Sequence, residues 1–585
     1  YDKNHLETYH GGDFKGITEK LDYLEDLGIN TIWITPIVDN IDFNKGASFG
    51  GKQYAYHGYW AKDFEKIDEH LGDIEDLKEL IDEAHSRGIK IMVDVVLNHA
   101  GYEIRSTDTN STGVANYPTA EEKAKFDGML RDWTVDSGDI VSNVAGLPDF
   151  ITENPEVREK IIQWQTAWID ILRTDKGNTI DYFRIDTVKH VEDTTWKAFK
   201  NAVTEKNPKA KLIGEAFGAD INNDFGQLRT GQMDSILDFA FKYSALNFVN
   251  GRVNDVEAYM EEINEKIDNT ATLGLFLSSH DEDGFLTRLG DIPEEEKLAK
   301  LKAAVALQMI AKGQPVVYYG EELGASGRNA GNMAAGELSE NRYDMPWDRL
   351  NNPLYKSVHD HYKKLLNIRA EYSKIFAKGS RSQIGGSDAE KYLVFERSYN
   401  GESVVVAINT DTETKIATVA VPYEAGTKLV DLYSGTVYTV GSEQQVSFTL
   451  PAISDGATVI LAVADEDDEE PGTGEEPGSG EEPGSGEEPG SGQEPGEEPG
   501  NGGDPGTGGQ EPGSGHEEPG PGQEEPGSGE EPGSGEEPGT GEEPGTGEEP
   551  GSGEEPGGGE EPGSGEEPGS GEEPGTGEEP GGGEE

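Results

Sequence analysis

The stretch IKIMVDVV, residues 89–96, decides the fold class of this chain. It is a mostly apolar run without strict alternation, which is typical of a strand buried on both faces of a sheet. The preceding stretch, from about Ile74 to Arg87, has apolar residues at helical spacing, and Gly88 ends this predicted helix. A helix that leads directly into a buried strand is the repeating unit of an α/β fold with a parallel sheet.

The same alternation of strands and helices continues on both sides of this unit. Six further buried strands are predicted at Ile29–Ile37, Tyr182–Ile185, Leu212–Glu215, Ile236–Phe241, Thr272–Ser278 and Pro315–Tyr319. Helical patterns lie between most of them, for example at Pro155–Arg173, Glu192–Val203 and Glu294–Ala311. Seven such strands favour a (β/α)₈ TIM barrel over an open sheet, although the eighth strand is missing from the pattern.

The sequence predicts three regions. Residues 1–371 form the barrel, and a long polar stretch at about 99–150 is an inserted loop domain. Residues 372–464 show the alternating pattern of strands that predicts a separate antiparallel β domain. Its predicted strands are Lys391–Arg397, Ser403–Asn409, Lys415–Val421, Val446–Leu450 and Thr458–Val463. Residues 465–585 repeat Glu-Glu-Pro-Gly-(Ser/Thr/Gly)-Gly, a composition that predicts a disordered, extended acidic spacer. Weak calcium or carbohydrate binding by the repeat stays open as an alternative.

Composition excludes several classes of function. The chain has 116 acidic and 48 basic residues among 585, for a formal net charge of −68. The repeat holds 41 of the acids and no Lys or Arg, so the other 464 residues carry 75 acids against 48 bases, or −27. A body this acidic argues against a nucleic-acid partner. No apolar run is long enough to predict a membrane span, and the absence of cysteine excludes disulfides and thiolate metal sites.

Ionisable and polar side chains follow four of the predicted strands, where the active site of a barrel is expected. A single carboxylate after a strand is usually a helix cap or a surface ion pair, whereas four successive strand ends favour a shared pocket. The residues are Asp94, Asn98 and His99 on the first strand end, then Arg184, Asp186, Lys189 and His190, then Glu215, and finally His280 and Asp281.

Three carboxylates in one pocket suggest hydrolysis of a glycosidic bond, which requires a carboxylic acid and a carboxylate. Arg184 lies two residues before Asp186 on one strand, so its charge would keep Asp186 ionised as a nucleophile. Glu215 is flanked by apolar residues, Ile213, Ala216 and Phe217, which would favour its protonated form. Aromatic residues near Tyr59 could stack on sugar rings, although they could equally belong to the core.

These motifs resemble the signature regions of the α-amylase family of glycoside hydrolases, which includes cyclodextrin glucanotransferases. The four matching segments are DVVLNH (94–99), FRIDTVKH (183–190), GEAF (214–217) and FLSSHD (276–281), and AYHGYW (55–60) and LPDF (147–150) match two more. The resemblance covers about residues 1–463. It implies that Asp186 is the nucleophile, Glu215 the general acid/base and Asp281 the carboxylate that stabilises the transition state. It also implies a set of substrate-binding residues: His57, Tyr59, Trp60, His99, Arg184, Lys189, His190 and His280.

The resemblance also implies a calcium ion between the barrel and the inserted domain. Its ligands would be the side chains of Asn98 and Asp149 and the backbone carbonyls of His190 and Ile140, all of them oxygen donors as Ca²⁺ prefers. Alternatively, Asn98 and Asp149 are ordinary turn residues. A second calcium site near Gly11 and Asp13 is a weaker expectation.

The implied activity is endo-hydrolysis of α-1,4-glucosidic bonds in starch and maltooligosaccharides, with retention of configuration. Ala145 stands where cyclodextrin-forming relatives have a bulky aromatic residue, which favours plain hydrolysis. A maltogenic, pullulan-cleaving or transglycosylating enzyme and a non-catalytic carbohydrate-binding protein remain alternatives. Since starch cannot enter a cell, we expect a secreted bacterial enzyme, acting as a monomer.

Family members place the first barrel strand upstream of the segment that resembles Tyr9–Ile17, whereas only eight residues precede it here. We therefore expect a chain that begins after the first strand. A barrel without that strand would have two unpaired edges and, as it stands, low stability or activity.

Overall fold

The computed structural model describes residues 4–132, 138–224, 226–228, 231–267, 272–333 and 337–464. The predicted repeat spacer at 465–585 lies outside the described residues. The strands are β1 (Thr31–Ile34), β2 (Val38–Asn40), β3 (Ala61–Ile67), β4 (Lys90–Val95), β5 (Tyr182–Ile185), β6 (Lys211–Gly214), β7 (Ser235–Asp238), β8 (Thr272–Phe276), β9 (Gln314–Val316), β10 (Ser380–Ser387), β11 (Tyr392–Tyr399), β12 (Glu402–Asn409), β13 (Lys415–Ala420), β14 (Lys428–Asp431), β15 (Val437–Thr439), β16 (Gln445–Leu450) and β17 (Thr458–Val463).

Helices occupy most of the connections between the parallel strands. They are α1 (Phe14–Thr18), α2 (Leu21–Leu27), α3 (Ile74–Ser86), α4 (Ala120–Ala124), α5 (Pro155–Ile171), α6 (Asp193–Lys206), α7 (Phe241–Val249), α8 (Val253–Lys266), α9 (Phe285–Arg288), α10 (Glu294–Ile310), α11 (Pro353–Glu371) and α12 (Ser373–Lys378). Within the described residues, no helix is both long and apolar enough to cross a bilayer.

The region before the C-terminal domain is built on one parallel sheet with the order β1-β4-β5-β6-β7-β8-β9. All seven strands predicted from the sequence are present, and each neighbouring pair is parallel. The sheet curls into a half-barrel, with β1 and β9 at its two edges. Among the described residues, no eighth strand pairs with either edge.

Several predicted strands end two or three residues earlier than expected, namely β1, β7, β8 and β9, and the end of β7 has a clear local cause. The sequence predicts a strand over Ile236–Phe241, but β7 stops at Asp238 and α7 begins at Phe241. The Asp238 carboxylate accepts hydrogen bonds from the backbone N–H groups of Ala240 (2.9 Å) and Phe241 (3.1 Å), which turns the chain into the helix. A short polar side chain that bonds the following backbone in this way ends regular structure.

The helix before β4 shows how local sequence sets this fold. Asp73 caps α3 by accepting from the backbone N–H groups of Glu75 and Asp76, and Asp76 bonds back to complete a capping box. The apolar face predicted from helical spacing is buried at Leu77, Leu80, Ile81 and Ala84. This face packs α3 against the sheet and so fixes where β4 and its polar end lie.

The C-terminal domain is antiparallel, as predicted, and has its own apolar core. Its main sheet has the order β10-β11-β12-β17-β14-β15, and β13 pairs with β16. Beyond the predicted boundary at residue 372, α12 continues the helical region to Lys378, and the strands of this domain begin at Ser380. Three strands, β10, β14 and β15, were not predicted. The first reads SRSQIGGS and lacks apolar alternation, and the other two are very short.

A bridge between His99 and Asp149 holds the two ends of the inserted segment at 99–150 together just beyond β4, and a second bridge joins Leu130 to Phe150 within the segment. Tyr102 and Leu147 of this segment belong to a small apolar cluster that also includes Trp60 from outside the segment. The segment is therefore attached to the barrel where the polar strand ends lie.

Candidate active site

The carboxyl ends of β5, β6 and β8 bring three carboxylates to one cavity of about 330 Å³. Asp186 follows β5, Glu215 follows β6 and Asp281 lies beyond β8, and all three line this cavity. These residues are far apart in the sequence and meet because the ends of parallel strands share one edge of the sheet.

Arg184 holds the first carboxylate by a direct ion pair. Its Nη1 donates to Asp186 Oδ1 (2.7 Å) and to both oxygens of Asp94 (3.0 Å each), and the guanidinium is 1 % exposed. Asp94 also accepts from the Tyr59 hydroxyl (2.6 Å) and from Trp33 Nε1 (3.2 Å). Burial raises the pKa of Asp94 to about 6, against the lowering effect of Arg184. Asp94 thus orients the arginine that faces Asp186.

Glu215 is held in a different environment, in which the protonated form is favoured. Burial raises its pKa to about 8, the charges of Asp186 and Asp281 add to the rise, and Arg184 opposes it. The backbone N–H of Thr187 donates to Glu215 Oε2 at 2.8 Å. Of the predicted apolar neighbours, Ile213 and Ala216 are buried, but Phe217 is 47 % exposed.

The backbone at Thr187 is unusual, since φ is 50° and ψ is 42°. A β-branched residue rarely adopts this left-handed conformation, and such strain is found at functional sites. Here it aims a backbone donor at the Glu215 carboxyl group.

Asp281 lies between two basic side chains. His280 Nε2 is 3.0 Å from Asp281 Oδ2, and Arg342 Nη2 is 3.1 Å from Oδ1. Although burial acts to raise it, the pKa of Asp281 is held well below its usual range by His280 and Arg342. Sequence reasoning missed Arg342, which lies in an irregular polar segment without a strand or spacing signal.

The turn that carries His280 and Asp281 is fixed through its backbone by the side chains of Asn329, Asn341 and Arg342. The four consecutive carbonyls of residues 279–282 each accept a hydrogen bond from one of these side chains. Asn341 Nδ2 donates to Ser279 (3.0 Å) and to Glu282 (2.6 Å), Arg342 Nε donates to His280 (3.0 Å), and Asn329 Nδ2 donates to Asp281 (2.7 Å).

Four of the predicted sugar-binding residues, His57, Tyr59, Trp60 and His99, line the same cavity. Tyr59 stacks on His280 with ring centroids 5.6 Å apart and an angle of 3°, and its hydroxyl is 3.0 Å from His280 Nε2. His99 Nε2 lies 3.2 Å from the Tyr59 carbonyl oxygen. Trp60 is 6 % exposed and packs on Tyr102, so it also serves the core.

Lys189 and His190 are not among the residues that line this cavity in the described part of the chain. Lys189 Nζ is 3.4 Å from the Phe217 carbonyl oxygen, and His190 Nδ1 is 2.7 Å from the Asp139 carbonyl oxygen. Their predicted contacts with substrate stay predictions.

The predicted calcium ligands meet where the inserted segment joins the barrel. The end of the Asn98 side-chain amide lies 3.0 Å from the His190 carbonyl oxygen and 3.3 Å from Asp149 Oδ1, and an NH₂ group in this place donates to both. With the amide oxygen in this place instead, three oxygens of the kind that Ca²⁺ prefers would face one another. The other oxygen of Asp149 pairs with Arg131 Nε (2.7 Å). The residues therefore fit a hard cation such as Ca²⁺.

The remaining predicted ligands are less directly placed. Ile140 is 36 % exposed and follows Asp139, whose carbonyl is bonded to the His190 ring. At the weaker second site, the Asp13 carboxylate accepts from the Gly16 N–H (2.7 Å) and caps α1. A capping role accounts for Asp13 without an ion.

Comparison with known proteins agrees with this geometry. Residues 2–384 match the family model for the alpha amylase catalytic domain, and residues 386–454 match that for the maltogenic amylase C-terminal domain. Neopullulanase 2 of Thermoactinomyces vulgaris is 28% identical over 456 residues, which is 76% of this chain and 70% of the relative. An alpha-amylase of Streptomyces lividans is 30% identical over 552 residues, 79% of this chain and 57% of the relative.

Solved structures of the same kind are similar across the described fold. The Anoxybacillus alpha-amylase has 28% identity and a TM-score of 0.63, with 79% of this chain and 93% of that chain covered. The Geobacillus thermoleovorans alpha-amylase, solved with acarbose, has 26% identity and a TM-score of 0.64, with 80% and 95% covered. From the matched catalytic domain and the shared fold, we conclude that the chain belongs to the α-amylase family and is an enzyme of this glycoside hydrolase kind.

Proposed function

We propose that this enzyme hydrolyses internal α-1,4-glucosidic bonds of starch and maltooligosaccharides with retention of configuration. The observation that carries the proposal is the contrast between two carboxyl groups in one cavity. Asp186 forms an ion pair with Arg184 at 2.7 Å, whereas burial raises the pKa of Glu215 to about 8. Arg184 thus lies against the carboxylate that is placed to attack, while Glu215 is favoured in its acid form at neutral pH, which is the division of labour that glycoside hydrolysis needs.

In the first step, Asp186 attacks the anomeric carbon while Glu215 gives its proton to the departing glycosidic oxygen. This step leaves a glycosyl ester on Asp186 and an ionised Glu215. In the second step, Glu215 takes a proton from water, and the water oxygen displaces Asp186 from the sugar. Asp281, fixed by His280 and Arg342, stays negative throughout and can hold sugar hydroxyls and stabilise the positive charge of the transition state.

A second candidate is cleavage of cyclodextrin or pullulan, with maltose-type products or transglycosylation. It is favoured by the relatives, which include neopullulanase 2 and a cyclomaltodextrinase of Geobacillus thermopakistaniensis at 28% identity, and by the matched C-terminal domain. Comparing initial rates on starch, pullulan and cyclodextrins tests the two. A starch rate well above the others, with a broad range of early products, supports endo-hydrolysis. A faster rate on cyclodextrin or pullulan supports the alternative.

The presence of all three carboxylates argues against a non-catalytic binding protein.

The pH profile should follow the state of Glu215. Because this group must be protonated to act as an acid, and its pKa is raised to about 8, kcat/KM should stay high to about pH 8. Above that pH it should fall about tenfold per unit. The measurement is kcat/KM on an aryl maltooligosaccharide from about pH 5 to about pH 10. A basic limb with an apparent pKa below about 6 would contradict the assignment of Glu215.

We also propose that Ca²⁺ binds at Asn98, Asp149 and the His190 carbonyl and ties the inserted segment to the barrel. At a free Ca²⁺ concentration 100-fold above Kd, the ion would add about 2.7 kcal/mol of stability. Chelation should then lower Tm by about 3 °C, as expected for a catalytic region of this size, and added Ca²⁺ should restore it. Asp149→Asn should weaken Ca²⁺ binding in calorimetric titration, while Asp127→Asn, an exposed residue of the same segment, should not. Equal titrations for both variants would reject the site.

The proposed substrate also bears on where the enzyme works. Starch is a polymer that cannot cross a cell membrane, so we propose that the enzyme is secreted by a bacterium. Finding the activity in the cells rather than in the culture medium of the source organism would argue against this.

A further inference from the structure

A buried lysine lies directly against the turn that carries Asp281. Lys242 is the second residue of α7, it is 1 % exposed, and its Nζ is 2.6 Å from Glu282 Oε2. Glu282 is the residue after Asp281, and its side chain is 11 % exposed. A buried charge pair is costly to form, so its position beside an active-site turn requires an explanation. The proposed reaction does not use either group.

The ammonium group of Lys242 is enclosed by aromatic rings. Nζ lies 4.9 Å from the ring centroid of Phe239, 4.6 Å from that of Tyr243 and 4.9 Å from that of Phe276. It also donates to the Phe239 carbonyl oxygen at 2.7 Å. Cation–π contacts and a carbonyl offset the loss of water around the charge. Phe239 and Phe276 lie at the ends of β7 and β8, so this cage is part of the barrel itself.

Glu282 is therefore anchored on elements other than its own turn. Besides Lys242, Arg288 Nη2 lies 3.6 Å from Glu282 Oε1, and the Arg288 guanidinium lies over the Tyr243 ring at 5.3 Å. A bridge between Ser279 and Glu282 closes the turn around His280 and Asp281. Asn329, Asn341 and Arg342 hold the carbonyls of this turn, and Lys242 with Arg288 holds the Glu282 side chain.

We propose that Lys242 is a positioning residue, which acts through Glu282 to hold His280 and Asp281 where they meet the reacting sugar. The inference rests on the proposed function, since it assigns Asp281 to transition-state stabilisation. Loss of the anchor would leave the turn attached through its backbone but free to shift at Asp281. A small displacement there would weaken interactions with the transition state more than those with bound substrate, so kcat would fall more than KM would rise.

The test separates this role from that of an ordinary buried ion pair. Lys242→Met removes the ammonium group and leaves Glu282 with only the more distant Arg288 as a counterion, so we expect this single variant to fold poorly. The double variant Lys242→Met/Glu282→Leu removes both charges and should regain most of the lost Tm. The matched control is Arg381→Met/Glu257→Leu, which removes another buried pair, at the junction with the C-terminal domain. All are measured at about 20 °C, with p-nitrophenyl α-maltoheptaoside as the substrate and with circular dichroism to verify folding.

We expect the Lys242→Met/Glu282→Leu variant to fold and to lose about 10- to 100-fold in kcat, with KM changed less than about threefold. The control should keep the kcat of the wild type. A Lys242→Met/Glu282→Leu variant with the wild-type kcat would overturn the positioning role, because a merely structural pair would recover activity together with Tm. A wild-type enzyme that cleaves no α-glucan would instead overturn the proposed function, and the inference with it.

Discussion

Glu215→Gln should lower kcat on maltooligosaccharides by at least about three orders of magnitude, within the range expected when general acid catalysis and positioning are lost together. Glutamine has nearly the same shape as protonated glutamic acid and can still accept the hydrogen bond from the Thr187 N–H. Its amide cannot give up a proton, however. The variant should therefore bind maltooligosaccharide with the affinity of the wild type, as isothermal titration would show.

The leaving group provides the control for this prediction. Fluoride departs from α-maltosyl fluoride without a proton, so formation of the glycosyl ester should be far less impaired in Glu215→Gln on this substrate than on a maltooligosaccharide. Asp186→Asn should be inactive on both, since it lacks the nucleophile. Near-normal turnover of maltooligosaccharide by Glu215→Gln would reject the acid/base assignment and with it the proposed mechanism.

Glu257→Gln should lower the free energy of unfolding by about 3–5 kcal/mol, because it leaves a buried guanidinium without its counterion. Glu257 in α8 accepts from Arg381 Nε (2.8 Å) and Nη2 (2.6 Å), and both side chains are almost fully buried, at 2 % and 1 % exposure. Arg381 lies in β10, over the Phe395 ring at 3.5 Å. The pair thus joins the catalytic domain to the C-terminal sheet. Urea unfolding followed by circular dichroism gives the change.

An exposed glutamate on the same helix is the matched control. Glu265→Gln should change the free energy of unfolding by less than about 0.5 kcal/mol, as is usual for surface substitutions. If Glu257→Gln lowers the free energy of unfolding by less than about 1 kcal/mol, water or another group must compensate the buried charge of Arg381. The Arg381→Met/Glu257→Leu variant should recover much of the stability, since paired apolar replacements avoid the buried charge.

Much of the catalytic domain could be predicted because buried parallel strands leave a strong local signal. The stretch 89–96 gives both a strand and the polar end that follows it, and the same holds for the strands that lead to Asp186 and Glu215. The antiparallel domain was predicted less completely, since a strand such as β10 contains two glycines and no apolar alternation. Its pairing is set by neighbours that are distant in the sequence.

The site was predicted at the level of its carboxylates but not of their partners. Arg342 and Asn341 reach the Asp281 turn from a segment without regular structure, so only the folded chain brings them there. For the same reason, neither the contact by which Asp94 orients Arg184 nor the contact of Lys242 with Glu282 could be predicted. Such contacts depend on where loops return to the barrel, which local patterns do not encode.

The left-handed backbone at Thr187 has a consequence for engineering this enzyme. A non-glycine residue in that conformation costs about 1–3 kcal/mol, so glycine at this position is an obvious choice for raising thermal tolerance. The same change would loosen the peptide that donates to Glu215. A screen that selects for heat resistance alone would therefore favour variants at position 187 that have higher thermal stability but a lower kcat.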